Sequence, residues 1–194
     1  MAARMNAPRT DWNEFELFKL RLSDVELLQR AGVLDGQRVE LIEGVLIAVS
    51  PQLRPHSYVR NELARRFWRA LDLLGSNLSA ETEITMQITP ETAPEPDLSL
   101  TSEPKGGGYV PIASVALAIE VSDTTLRYDL GKKRDIYARA GVPEYWVIDV
   151  NRAEVHRFAN PDNGVYRAEP PIPLAGMLQS LTVPDLAIDG AGIL

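Results

Sequence analysis

Three residues carry the chemistry this chain could perform. Asp97 opens Pro96-Asp97-Leu98-Ser99-Leu100, Glu120 sits in Ala118-Ile119-Glu120-Val121-Ser122, and Lys133 lies in Leu130-Gly131-Lys132-Lys133-Arg134. Two carboxylates on neighbouring strands with a lysine beside them form a minimal Mg²⁺ site for phosphodiester hydrolysis, and Mn²⁺ would suit the same oxygens. The reaction needs a cation to neutralise developing charge and to position or activate a water. Mg²⁺ commonly takes only one or two carboxylates, with waters completing its shell. A nearby lysine can lower the pKa of that water or hold a phosphate oxygen.

The elements around these residues must place them together. Pro96 cannot donate to a ladder, so Asp97 is expected at the start of a strand. Val115 to Val121 is a mostly apolar run suited to a strand buried on both faces. Alternation puts Ala116, Ala118, Glu120 and Ser122 on one face and Leu117, Ile119 and Val121 on the other. A charged Glu120 in such a strand must be paired, protonated or metal-bound. A helix is predicted from Asp129, read as its N-cap, to Ala140, with Gly141 as its stop. Leu130, Lys133, Tyr137 and Ala140 then share the inward face, while Lys132 and Asp135 point outward.

Upstream, Ser23-Asp24-Val25-Glu26 reads as a capping box for a short helix stopped by Gly32. Arg38–Ile42 and Val45–Val49 flank Glu43-Gly44, which predicts a hairpin. Pro51 and Pro55 bracket a loop. A helix is expected from His56 or Ser57 to Leu74, ending at Gly75. Its apolar face holds Val59, Leu63, Phe67, Ala70, Leu71 and Leu74, and His56 and Arg60 project onto the same face at its N-terminal end. Leu78–Ala80 and Ile84–Thr89 read as strands and Pro90–Pro96 as a loop. Glu144–Asp149 and Glu154–Phe158 read as strands paired across a turn at Asn151-Arg152. The tail from Pro170 carries short β-like pieces around Leu181 and Leu186. The sum is a mixed-sheet α/β or α+β domain.

Composition bounds the function. The 194 residues suffice for one domain with a substantial core, divided here into a lead-in (1–20), a core (21–169) and a C-terminal tail (170–194). Cysteine is absent, which excludes disulfides, thiolate zinc sites and cysteine nucleophiles. No apolar run approaches a membrane span, and the polar stretch from Met1 to Asp11 lacks the apolar centre of a secretory signal; a cytoplasmic address is the expectation. The formal charge of −7 argues against a non-specific nucleic-acid binder, which usually carries a basic excess. Yet residues 76–126 hold one base against eight acids, whereas residues 127–157 hold seven bases against five acids. The acidic excess therefore lies around Asp97 and Glu120, where a bound cation would relieve it.

Pro96-Asp97, Glu120-Val121-Ser122, Asp129-Leu130 with Lys133, Tyr137-Ala138 and Gly141-Val142-Pro143-Glu144-Tyr145-Trp146 together resemble the Uma-type family of putative restriction endonucleases, in the PD-(D/E)XK nuclease superfamily. Glu40-Leu41-Ile42-Glu43-Gly44 and the proline-rich approach to His56 also fit. The resemblance runs from Val39 to Val150. It implies a restriction-endonuclease-like fold, a central mixed sheet flanked by helices, and Mg²⁺-dependent cleavage of DNA. It also marks Asp97, Glu120, Lys133, His56 and Glu40 as site residues. In the superfamily pattern the lysine stands two residues after the acid, where this chain has Ser122; Lys133, from the following helix, matches the Uma-type lysine.

Plainer roles stand beside these. Asp97 could cap a turn, Glu120 could pair with Arg127 or Arg134, Lys133 could be solvated, His56 could start its helix and Glu40 could brace the hairpin. Competing functions are a catalytically silent nuclease-fold binding module and a metal-dependent hydrolase of small phosphate esters. A homo-oligomer, with the dimer as first expectation, completes the reading.

Overall fold

A computed structural model describes residues 17–49 and 52–194. Most of the expected lead-in, and Pro51, lie outside these residues. In chain order come α1 (Leu22–Arg30), the hairpin β1 (Val39–Ile42) and β2 (Val45–Ala48), α2 (Arg54–Leu74), β3 (Ser79–Thr82), β4 (Met86–Gln87), β5 (Leu98–Thr101), β6 (Val110–Pro111) and β7 (Val115–Ser122). There follow α3 (Leu126–Tyr128), a π-helical turn (Asp129–Lys133), α4 (Arg134–Arg139), β8 (Glu144–Asp149), β9 (Glu154–Asp162), β10 (Val165–Ala168), β11 (Ile172–Pro173), β12 (Met177–Gln179) and β13 (Ala187–Asp189).

The central sheet runs β10-β9-β8-β7-β5-β3, with β11 also on β9. Only β7 and β8 pair in parallel within it, and the α3–α4 stretch connects them. This is the expected mixed sheet flanked by helices. Alternation along β7 sorts the two faces. Leu117, Ile119 and Val121 join Val59, Leu63, Phe67 and Leu71 of α2 in one core; Ala118 joins Tyr137, Ala138, Tyr145 and Val147 in the other. Glu120 therefore faces the α4 side, and α2 closes the opposite face.

The hairpin forms as predicted. Ile42 pairs with Val45, and Glu43 and Gly44 both take positive φ (51° and 83°), as a two-residue primed turn requires. It docks on the loop before β5 through Ala93 N–H donating to Leu41 O at 2.7 Å. Its tip is held to the α4 side by Arg139 donating to Glu43 at 2.9 Å and by a Lys132–Glu43 pair.

Several boundaries differ from the sequence reading. α1 is capped by Arg21, whose backbone N–H donates to Asp24 at 2.7 Å; Ser23 lies inside the helix. α2 starts at Arg54, because Pro55 fits the first turn, where its missing N–H costs nothing. Leu74 is exposed at the helix end. The run Ile84–Thr89 yields only the two-residue β4, paired in parallel with β6. Asp129 is not an N-cap: the helical stretch begins at Leu126, and Asp129 opens the π-turn. In the tail, β11 pairs with β9, and the β-like pieces expected around Leu181 and Leu186 are β12 and β13, paired with each other and ending or starting one or two residues from those leucines. Leu174, Leu178, Leu186, Ile188 and Ile193 all belong to the α2-side core.

Candidate active site

Asp97 stands one residue before β5, and Leu98 pairs with Ile119 of the antiparallel β7. The next position of that ladder sets Asp97 against Glu120. Both are buried. Three donors fix the Asp97 carboxylate. Val121 N–H reaches Oδ2 at 2.8 Å, His56 Nε2 lies 3.2 Å from the same oxygen, and Gln52 donates to Oδ1 at 3.0 Å. Arg60 in turn donates to Gln52 at 2.7 Å and pairs with Glu83 at 2.8 Å. The inward projection of His56 and Arg60 from α2 is thus what the structure shows.

Lys133 lies between two acids. Its Nζ is 2.9 Å from Glu120 Oε1 and 3.0 Å from Glu40 Oε1, and all three side chains are buried. Glu40 arrives from β1, Glu120 from β7 and Lys133 from the π-turn. Tyr137, one turn beyond Lys133, donates its hydroxyl to Glu120 Oε1 at 3.1 Å. Oε1 of Glu120 thus takes two donors, while Oε2 has none among the described residues. Arg127 and Arg134 are not its partners; Arg134 pairs with Asp135.

The sequence reading missed Gln52, Tyr137 as a hydrogen-bond donor, and Asp129 as a buried acceptor at the cleft. Asp129 is buried and accepts from Ser122 at 2.7 Å and Thr125 at 2.6 Å. Ser122 therefore anchors the segment that carries Lys133.

The electrostatics are strained toward negative charge. Burial pushes the Glu120 carboxyl well above the usual range; Lys133 pulls it down, and Asp97, Asp129 and Glu40 push it up again. Burial likewise raises Asp129, against the pull of Lys133 and its two hydroxyl donors. For Lys133 burial opposes the charge, but Glu120, Glu40 and Asp129 outweigh it and hold the ammonium. One ammonium thus stands among four carboxylates.

A cleft of about 380 Å³ opens onto Asp97, Glu120, Glu40, Asp129 and Lys133, and Ile47, Val49 and Leu53 also line it. Among the described residues no three His, Cys, Asp or Glu side chains converge at metal-holding geometry. The residues nevertheless fit a hard, hydrated divalent cation. They supply two facing carboxylates, an undonated oxygen on Glu120 and a surplus of buried acid, and Mg²⁺ needs only one or two carboxylates with waters.

A family model described as "Uma2: Putative restriction endonuclease" matches residues 24–190, a longer span than the 39–150 over which the motifs themselves are legible. Among solved structures the chain is similar to a putative nuclease belonging to DUF820 from Anabaena variabilis, with a TM-score of 0.62 and 16% identity, over 80% of this chain and 88% of that one. At that identity the likeness speaks for the fold. No curated protein matches the chain.

Proposed function

This chain belongs to the Uma2 family of putative restriction endonucleases, and we propose that it is a divalent-metal-dependent endonuclease hydrolysing DNA phosphodiester bonds, with Mg²⁺ the first choice and Mn²⁺ a substitute. The observation that carries the reading is the facing pair Asp97 and Glu120 at the floor of the cleft, with Lys133 on Glu120. A cation bound there would supply charge neutralisation and a more acidic water. Asp97 and Glu120 would hold it. Val121 N–H, His56 and Gln52 fix the Asp97 carboxylate, so little ordering is left for binding. Tyr137 and Lys133 orient Glu120 through Oε1, leaving Oε2 for a ligand. Lys133 also brings the positive charge that a phosphate oxygen or an attacking water would meet. Glu40 holds Lys133 from the far side and serves the site through it. No helix among the described residues is long and apolar enough to cross a membrane.

Nicking of supercoiled plasmid with Mg²⁺ or Mn²⁺ tests this. Wild type should cut and chelator should stop it. Asp97→Ala should lose at least about a hundredfold, the scale at which removal of a group that stabilises transition-state charge is felt. Equal cutting by both proteins would sink the assignment.

One observation favours a second reading. Lys133 already neutralises part of the acid cluster, so the fold could persist as a binding module without catalysis. Absence of Mg²⁺ and Mn²⁺ binding in calorimetric titration at millimolar metal would support it.

A further inference from the structure

Tyr128, five residues before Lys133, has no part in the scheme above. Its hydroxyl is buried and has no hydrogen-bond partner among the described residues. Such orphans are rare in native proteins and call for an explanation, an unseen water or ion among them. Among the described residues five buried side-chain atoms lack partners, and two of them, Tyr128 Oη and His56 Nδ1, belong to side chains that line the cleft of Asp97 and Glu120. The backbone explains how Tyr128 gets there. In a regular α-helix residues 128 and 133 would stand about 140° apart. The π-turn over Asp129–Lys133 widens the helix at that point, and both side chains reach the cleft. Turns of this kind concentrate at functional sites.

The surroundings of the hydroxyl are ionic. Burial raises its pKa, Lys133 lowers it, and Glu40, Asp129 and Glu120 raise it further. It therefore stays a neutral O–H, able to donate and accept one hydrogen bond each but a poor direct ligand for a hard cation. Mg²⁺ holds on to its waters, and groups that bind ligands from the outer shell shape metal affinity.

We propose that Tyr128 is a positioning residue of the metal site, its hydroxyl hydrogen-bonding a water of the hydrated cation held by Asp97 and Glu120. This rests on the reading of the cleft as a metal site. The π-turn would then deliver both the lysine on Glu120 and the hydroxyl on the cation's water shell from one short segment.

The test uses the full chain and its Tyr128→Phe variant, without DNA. Mn²⁺ is titrated calorimetrically, water-proton relaxation reports the bound ion's hydration, and thermal melting is recorded without metal. The variant should melt at or above the wild-type temperature, because no protein hydrogen bond is lost. Its Mn²⁺ affinity should fall about tenfold, with an altered relaxation enhancement. Unchanged Mn²⁺ affinity and relaxation, or a variant that melts well below wild type, would overturn the proposal while leaving the metal reading in place. Failure of the wild-type protein to bind Mn²⁺ would overturn both.

Discussion

Lys133 is the residue on which the charge balance of the site turns. It touches Glu120 and Glu40 in a buried setting, so replacing it removes one partner and strands the others. Lys133→Met should destabilise the protein by about 3–5 kcal/mol near neutral pH. The loss should depend on pH with a definite sign. The folded-state pKa of Glu120 is raised above its ordinary 4.5, so its contribution to stability is full below that value and is lost as pH rises toward the folded value. Without Lys133, which lowers it, the loss runs further. Urea denaturation at about pH 5 and about pH 8 should show a larger gap between variant and wild type at the higher pH; a gap independent of pH would contradict this. The same carboxyl predicts proton release. A cation at Glu120 favours its charged form, so Mg²⁺ should bind more tightly as pH rises and expel protons on binding. Calorimetry in two buffers of different ionisation enthalpy measures that number, and zero protons released through the pH range above 4.5 would count against Glu120 as a ligand.

At the scale of elements, local signals were legible and tertiary ones were not. The Glu43-Gly44 turn and the apolar stripe of α2 are written in adjacent residues and appear as read. The β7 strand showed its two faces by alternation, including the acid on one of them. Asp129 misled because an acid before an apolar-periodic segment looks like a cap. Its carboxylate is instead used by Ser122 and Thr125, one of them from β7, and nothing local records that. The π-turn left no readable trace, although it decides which residues after β7 face the cleft. The sequence shows the tail only as short β-like pieces beyond the core (21–169). What ties it down is Glu144, whose buried carboxylate accepts from Trp146 Nε1, from Ser180 and Thr182 hydroxyls and from the backbone N–H groups of Leu181 and Thr182. An amide offers one acceptor oxygen for these donors. Glu144→Gln should therefore cost about 2–4 kcal/mol in urea denaturation, one or two buried donors being left unpaired, while leaving Mn²⁺ affinity unchanged. A change in metal affinity as large as that in stability would show that the tail and the site are coupled.

At the scale of the whole molecule, the site gathers Glu40, Asp97, Glu120 and Asp129 from four separate parts of the chain around one lysine. The family motifs named most of these residues. The clamp of Lys133 between two acids, the Gln52 and His56 hold on Asp97 and the Tyr137 hydrogen bond needed the fold to be seen. The tail is part of that fold: Leu174, Leu178, Leu186, Ile188 and Ile193 sit in the α2-side core at 3% exposure or less. Burial of five such side chains contributes on the order of 1.5–3 kcal/mol each, comparable to the whole stability of an ordinary domain. Deleting residues 171–194 should leave the protein unfolded, read as lost cooperative melting and exposed hydrophobic surface; a truncated chain that melts cooperatively would make the tail a separate unit. The net charge of −7 adds an expectation for binding. DNA affinity should depend on divalent metal, because the acidic cleft repels phosphate until a cation is bound. Anomalous diffraction from crystals soaked in Mn²⁺ shows whether Asp97 and Glu120 hold that cation. One strong peak beside the Asp97 and Glu120 carboxylates is expected within the cleft; a cleft without a peak at saturating Mn²⁺, or a peak away from both carboxylates, would rule these two residues out as the ligands.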